Sequence, residues 1–184
     1  KEIAAALKDL DRMVGQAKIK KQIHDFVNLA RHYNQQGVKL NTRLSLQWCF
    51  TGNSGMGKGT VARIIARIYK AMGIIDKGVV TSFKVERLIG LTEEEAIQNI
   101  GTALLQSKGG LFFFDEDSSR LNEIPGFKDR VRAILVNQLA TQPGAYNVIY
   151  AKQDPPRRII NDEVEKVSDM INVCLLYTSD AADE

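Results

Sequence analysis

The chain has 184 residues, of which 44% are hydrophobic, and this is enough for one domain with a sizeable core. Its 25 basic and 22 acidic residues give a formal charge of +3, which is too small to argue for nucleic acid binding. No apolar run is long enough to span a bilayer, so we expect no membrane partner. The two cysteines lie far apart in the sequence, and we expect Cys49 to be a buried thiol in a cytoplasmic protein.

Hydrophobic periodicity predicts helices and strands in alternation. In chain order, we expect a helix over 18–36, a strand over 46–50, a helix over 60–72, a strand over 79–85, a helix over 93–106, a strand leading to Asp115, a helix over 127–141 and a strand over 147–151. This alternation is typical of a three-layer α/β fold with a central, mainly parallel sheet. The chain begins inside a helical pattern and changes composition at residue 174. We therefore expect a core over 1–173 that is truncated at both ends, and an artefactual or disordered tail over 174–184.

A glycine-rich loop after the first predicted strand fits the phosphate-binding motif G-x-x-x-x-G-K-[ST] except at its last position. Its residues are Gly52, Asn53, Ser54, Gly55, Met56, Gly57, Lys58, Gly59 and Thr60. Glycines let the backbone turn its N–H groups toward an anion, and the following helix directs its positive end at the same place. Lys58 supplies a charge for the β- and γ-phosphates. The loop therefore predicts a nucleotide-binding site.

Two carboxylates follow the apolar run 111–114, at the C-terminal end of a predicted buried strand. In a parallel α/β sheet, ligands bind beyond this end, so we expect Asp115 beside the phosphates as a ligand of Mg²⁺. Glu116 is expected to polarise an attacking water. The alternative interpretation of this pair is two solvated acids that close a core strand.

In these motifs and in further segments, residues 7–151 resemble the AAA+ ATPases, in the branch of the stage V sporulation protein K and the rubisco activase CbbX. The matching segments are 10–15 with Lys18, 50–53 with the phosphate loop, 61–64, 68–73 and 77–78. The resemblance implies a module that uses ATP and Mg²⁺ to remodel a protein partner, within a homo- or hetero-oligomer or among tandem AAA+ modules. It also implies that Val14 and Gly15 cradle the adenine ring.

The chain departs from this family at the metal site. Gly59 lacks the hydroxyl that such ATPases place on Mg²⁺, and Thr60, the next candidate metal ligand, is rotated by about 100° around the helix axis. Asp117 adds a further charge after the acidic pair. Gly-Lys-Gly-Thr also resembles adenylate kinases, but we find no acceptor-binding segment and no arginine-rich lid in the sequence.

Two further departures concern the pore loop and the arginine finger. Segment 88–90 contains no aromatic residue, although the family's central-pore loop has an aromatic before a glycine. No motif of an arginine finger includes the arginines of the second half, which we expect to be solvated: Arg130, Arg132, Arg157 and Arg158. The departures favour an alternative function, a degenerate AAA+ module that hydrolyses ATP weakly or not at all and has a structural or regulatory role in a multi-module or ring assembly. The acidic pair favours the active ATPase.

Overall fold

The computed structural model describes residues 1–40, 46–52, 55, 57–153, 159–160, 163–164 and 172–174. Helices and strands alternate along the first four fifths of the chain. They are α1 (Glu2–Asp11), α2 (Ala17–Gln35), β1 (Trp48–Thr51), α3 (Lys58–Ala71), β2 (Val80–Lys84), α4 (Glu93–Gln106), β3 (Leu111–Asp115), α5 (Phe127–Thr141) and β4 (Asn147–Lys152). Three short strands follow: β5 (Ile159–Ile160), β6 (Glu163–Val164) and β7 (Asn172–Cys174).

The central sheet has the strand order β2-β3-β4-β1-β7. Its first four strands are parallel, and β7 pairs antiparallel with β1 at the edge. The strands β5 and β6 form a separate antiparallel pair. This arrangement confirms the predicted α/β fold with a mainly parallel sheet, of the kind found in the large subdomain of P-loop AAA+ proteins. The carboxyl ends of β1, β3 and β4 lie at one edge, which is the edge where ligands bind in such sheets.

Helices cover both faces of the sheet, so that there are two hydrophobic cores. On one face α1, α2 and α3 pack on the sheet, and on the other face α4 and α5 do so. The apolar run of β3 contributes to both cores, since Phe113 faces the first and its neighbours Phe112 and Phe114 face the second. A strand buried on both faces needs such a continuous apolar run.

The ends of the helices follow local signals. Thr92 and Glu95 form a reciprocal capping box at the start of α4, with Glu95 N–H donating to Thr92 Oγ1 over 3.2 Å. The predicted bounds of α4 and α5 are confirmed. Helix α3 begins at Lys58, two residues before its predicted start, because Lys58 and Gly59 already form its first turn after Gly57.

Cys49 is buried, as expected, with 2% of its surface exposed. It is disulfide-bonded, however, so the prediction of a free thiol is wrong. The pairing of β7 with β1 places the backbone of residue 174 directly opposite Cys49, a proximity that their distance along the chain concealed. Within the described part of the chain, no helix combines the length and apolarity needed to cross a membrane.

A buried hydrogen-bonded chain ties α3 to the start of β1. The indole Nε1 of Trp48 donates to the hydroxyl of Tyr69 over 2.8 Å, and this hydroxyl donates to the carbonyl of Leu46 over 2.7 Å. Tyr69 has no exposed surface, and its burial raises the pKa of the hydroxyl far above its ordinary value. The hydroxyl therefore stays protonated and satisfies two polar groups at the entry to the phosphate-loop strand.

We expect Tyr69→Phe to destabilise the fold by about 1–3 kcal/mol, because it leaves the Trp48 N–H and the Leu46 carbonyl unpaired. The measurement is the free energy of unfolding in urea. Tyr33→Phe is the matched control, since the described residues offer its hydroxyl no hydrogen bond. Equal losses in the two variants would contradict the structural role of the Tyr69 hydroxyl.

Candidate nucleotide-binding site

The glycine-rich loop connects the end of β1 to the start of α3. Gly55 and Gly57 have φ values of 79° and 92°, in the left-handed region that favours glycine. Gly57 is the N-cap of α3 and has no side chain with which to cap the first N–H groups of the helix. These N–H groups suit an anionic ligand. The predicted site residues Asn53, Ser54 and Met56 lie outside the described residues.

Lys58 is buried at the base of this loop, with 4% of its side chain exposed. Its Nζ donates to the carbonyl oxygen of Gly52 over 2.7 Å and lies 3.0 Å from Oδ2 of Asp117. A buried ammonium needs such partners, since an isolated charge is costly to remove from water. The lysine of the loop is thus in place, and a carboxylate of the same chain neutralises it.

Asp115 ends β3 and faces the same side of the sheet. Its Oδ1 accepts a hydrogen bond from the backbone N–H of Asp117 over 2.8 Å. Burial raises the pKa of Asp115 above its ordinary value, and the charge of Asp117 acts in the same direction, whereas this hydrogen bond and the charges of Lys84 and Lys58 oppose the shift. The structure therefore brings together the predicted phosphate lysine and the predicted metal ligand.

Glu116 occupies the other side of the sheet, because successive residues of a strand alternate between faces. It is 3% exposed and forms a bidentate ion pair with Arg132 of α5. Arg132 Nη2 donates to Oε1 over 2.7 Å and Nε donates to Oε2 over 3.0 Å. Both carboxylate oxygens of the predicted general base are therefore engaged by one guanidinium.

Arg132 is not the solvated helix charge that the sequence predicts. Besides pairing with Glu116, its Nε donates to the hydroxyl of Tyr150 over 2.9 Å, and its guanidinium carbon lies 5.6 Å from the centre of that ring. Sequence reasoning missed Arg132 because it lies 16 positions after Glu116 and in no motif. The available signal was the rule that a buried carboxylate requires a cationic partner. Arg130 is exposed as expected, and Arg157 and Arg158 lie outside the described residues.

The turn between α1 and α2 lies against the phosphate loop. A Cβ on Gly57 would lie 2.9 Å from the terminal methyl of Met13, a flexible side-chain end that can move aside, so the left-handed φ of 92° is what favours glycine at this position. Gly15 and Gln16 are both left-handed, with φ values of 66° and 63°, and they turn the chain sharply into α2. Val14 is 96% exposed. An exposed apolar side chain beside a phosphate loop is suitably placed to contact a base.

A cavity of about 670 Å³ lies at the opposite edge of the sheet, where β1 and β4 begin. Its lining includes Asn34, Gln47, Gly73 and Tyr146. None of the residues of the phosphate loop or of the acidic pair contributes to it. Its volume alone gives no reason to place the chemistry there, so we assign the candidate site to the edge that holds Lys58 and Asp115.

Comparison with known proteins identifies relatives. No protein-family model matches the chain. The stage V sporulation protein K of Bacillus subtilis (strain 168) is 32% identical over 114 residues, which are 59% of this chain and 34% of that protein. The ESX-1 secretion system protein EccA1 of Mycobacterium leprae is 33% identical over 134 residues, or 69% of this chain and 22% of that protein. The chloroplastic ribulose bisphosphate carboxylase/oxygenase activase of Cyanidioschyzon merolae is 31% identical over 119 residues, or 62% and 40% respectively.

The chain is a homologue of AAA+ ATPases. The resemblance inferred from its motifs is confirmed. The chain spans between 22% and 40% of the length of these three relatives, so each match covers a fragment of the relative.

The start of α3 departs from the pattern of AAA+ ATPases at Gly59. Among the described residues, a Cβ on Gly59 would meet the guanidinium of Arg63 at an ordinary contact distance of 3.7 Å, so these neighbours leave room for a side chain at this position. Thr60 is exposed, and its Oγ1 accepts a hydrogen bond from Arg63 Nη2 over 3.2 Å. Its assignment as a metal ligand stays a prediction.

The connection between β2 and α4, where AAA+ ATPases have their pore loop, is short in this chain. A 3₁₀ turn, Val85–Leu88, follows β2 directly, and α4 begins at Glu93. Leu91, which is 37% exposed, is the large apolar side chain that this connection presents to solvent among the described residues. The connection therefore lacks both features of a pore loop, since segment 88–90 contains no aromatic residue and the loop itself is short.

We expect Asp115→Asn to stabilise the chain without nucleotide at pH 7. The pKa of Asp115 is raised in the fold, so its ionised form is disfavoured there, and the cost is present above the folded pKa. The gain should vanish as pH falls below 3.8, the ordinary value, where the carboxyl is protonated in both states. The measurement is unfolding by urea across this pH range, with the exposed Asp129→Asn as control. A pH-independent difference would contradict the assignment.

Proposed function

We propose that this chain is an ATP-binding AAA+ module that couples ATP binding and hydrolysis to the remodelling of a protein partner. The observation that supports it most is the buried Lys58, held at the base of a glycine loop beside the carboxylates that follow β3. Its homologues are AAA+ proteins, which supports an ATP-driven module at the family level. Such homologues commonly work as oligomers, and we propose a homo- or hetero-oligomer or tandem modules here as well.

The donor set fits a nucleoside triphosphate. The uncapped N–H groups at the start of α3 and the ammonium of Lys58 would bind the β- and γ-phosphates, and Val14 and Gly15 would contact the base. When bound, Mg²⁺ would neutralise charge on the phosphate oxygens, with Asp115 holding it directly or through water. Among the described residues no group of three or more His, Cys, Asp and Glu is arranged to hold a metal. This suits Mg²⁺, which relies on phosphates and water more than on a protein cage.

We expect Lys58→Met to remove most of the affinity for ATP, because the variant keeps the length of the side chain but loses its charge-assisted hydrogen bonds. Calorimetry provides the dissociation constant, and thermal unfolding shows whether the fold is retained. Lys70→Met, an exposed lysine on the same helix, is the matched control. Equal affinity in wild type and Lys58→Met would reject the nucleotide site.

The second candidate function is a degenerate module, and two contacts favour it. Glu116 is held by Arg132, whose charge-assisted hydrogen bonds engage both carboxylate oxygens that an attacking water would need. Lys58 is held by Asp117. A buried Glu116–Arg132 pair also has a structural value that an inactive module would retain. The presence of Glu116 alone therefore does not separate the two functions.

ATP hydrolysis that depends on Glu116 distinguishes the active ATPase from the degenerate module. We expect the dilute chain to hydrolyse ATP barely above background, since an arginine supplied in trans is worth about 10³-fold or more in this chemistry. Turnover should rise with protein concentration as copies assemble. Glu116→Gln should lower it by about 10²-fold or more and leave ATP affinity intact, because the amide cannot accept the proton of the water.

Steady-state phosphate release against protein concentration is the measurement, with the exposed Glu123→Gln as control. A dilute monomer that turns over at about one per second or faster would contradict the need for a neighbour. ATP binding without any turnover that depends on Glu116, at every concentration, would establish the degenerate module.

A further inference from the structure

Lys58 and Asp117 form a largely buried ion pair that the sequence motifs do not explain. Oδ2 of Asp117 lies 3.0 Å from Nζ of Lys58, and the two side chains are 13% and 4% exposed. The loop motif predicts that Lys58 binds phosphates, whereas neither motif gives Asp117 a function. In the fold, the ammonium of Lys58 is therefore paired with the carboxylate of Asp117, a residue of the same chain.

The carboxylate of Asp117 and a bound phosphate would both have to lie next to Nζ of Lys58. A γ- or β-phosphate that binds Lys58 would bring negative charge to within a few ångströms of Asp117, at a site with little solvent. Like charges at such a distance repel strongly when the surroundings are poorly polarisable. The two anions therefore compete for Lys58.

Hydrogen bonds hold the backbone of Asp117 and Ser118 in place. The N–H of Asp117 donates to Asp115 Oδ1, and the N–H of Ser118 donates to the carbonyl of Glu116 over 2.9 Å. Of the two carboxylate oxygens of Asp117, Oδ2 pairs with Lys58, whereas Oδ1 is buried and has no hydrogen bond among the described residues. An unsatisfied buried oxygen is costly. The hydrogen bonds that anchor this segment are made by backbone groups and by Asp115, so a rotation of the Asp117 side chain away from Lys58 would break none of them.

We propose that Asp117 is an internal competitor of the nucleotide, which occupies Lys58 in the empty module and must rotate away before the phosphates bind. The proposal rests on the proposed function, since it concerns the same site. It makes Asp117 a residue that sets nucleotide affinity. The empty module is held in a neutralised state by Asp117, and ATP binding includes the cost of breaking the pair.

The test is Asp117→Asn, which keeps the size of the side chain and removes its charge. We expect ATP to bind about tenfold more tightly, both in Mg²⁺ and in EDTA, because a partly buried ion pair no longer has to be broken. Asp129→Asn, which removes a carboxylate that is 86% exposed, should leave affinity unchanged. Weaker binding by Asp117→Asn in Mg²⁺ would overturn the proposal, since Asp117 would then assist the metal-bound nucleotide.

A double variant separates competition from general repulsion. With Lys58→Met in place there is no ammonium to compete for, so adding Asp117→Asn should give no better binding than Lys58→Met alone. A gain that persists in the double variant would overturn the proposal. Asp117→Ser serves as a second variant if Asp117→Asn fails to fold.

A measurement without nucleotide tests the pair itself. Acylation of Lys58 by an amine-reactive reagent, followed by mass spectrometry, should be faster in Asp117→Asn than in wild type, and equal rates would overturn the proposal. The outcomes also distinguish the proposal from the proposed function. ATP binding by Asp117→Asn alone would support the competitor and reject ATP binding by the natural chain. Equal binding by both would overturn the competitor and leave the function standing, and binding by neither would overturn both.

Discussion

The need to pair buried charges governs the functional edge of this protein. A parallel sheet covered by helices on both faces has its strand ends in a poorly solvated place, where an isolated charge is costly. The chain puts Lys58 and Glu116 there, with 4% and 3% of their surface exposed. Each has a partner within the same chain, Asp117 for the lysine and Arg132 for the glutamate. Under the proposed function, the state of the site depends on whether these partners or a ligand hold Lys58 and Glu116.

A row of aromatic residues lies along the strands that lead to this edge. Phe83, Phe114 and Tyr150 are in register on adjacent strands, with ring centres 5.6 and 5.3 Å apart. A guanidinium closes each end of this row, Arg87 over Phe83 and Arg132 over Tyr150. Arg132 is thus fixed by a ring, a hydroxyl and a carboxylate together. The row holds Glu116 on the face of α5, away from the face that bears Asp115 and the phosphate loop.

The two functional hypotheses differ in whether a ligand can replace the partner in the Lys58–Asp117 and Glu116–Arg132 ion pairs. If they are exchangeable, the module is an ATPase whose empty state is neutralised, and neighbouring subunits or the nucleotide itself would release the side chains. If they are permanent, the same residues are a structural remnant of an ATPase. The missing hydroxyl at Gly59 and the short connection from β2 to α4 suit the second hypothesis. The close approach of Met13 to Gly57 suits the first, since it keeps the turn that we propose to contact the base against the phosphate loop.

The sequence by itself determined the fold class, the helices α4 and α5 to the residue, the phosphate loop, the acidic pair and the resemblance to AAA+ ATPases. These features are local, because periodicity, glycine spacing and strand-end acids are all visible within a few neighbouring positions. Only the tertiary structure decided which charges meet. The partners of Lys58 and Glu116 come from a different strand end and a different helix, and the opposite faces of Asp115 and Glu116 matter only once helices cover the sheet. The bonded state of Cys49 likewise depends on a strand that joins the sheet from the far end of the chain.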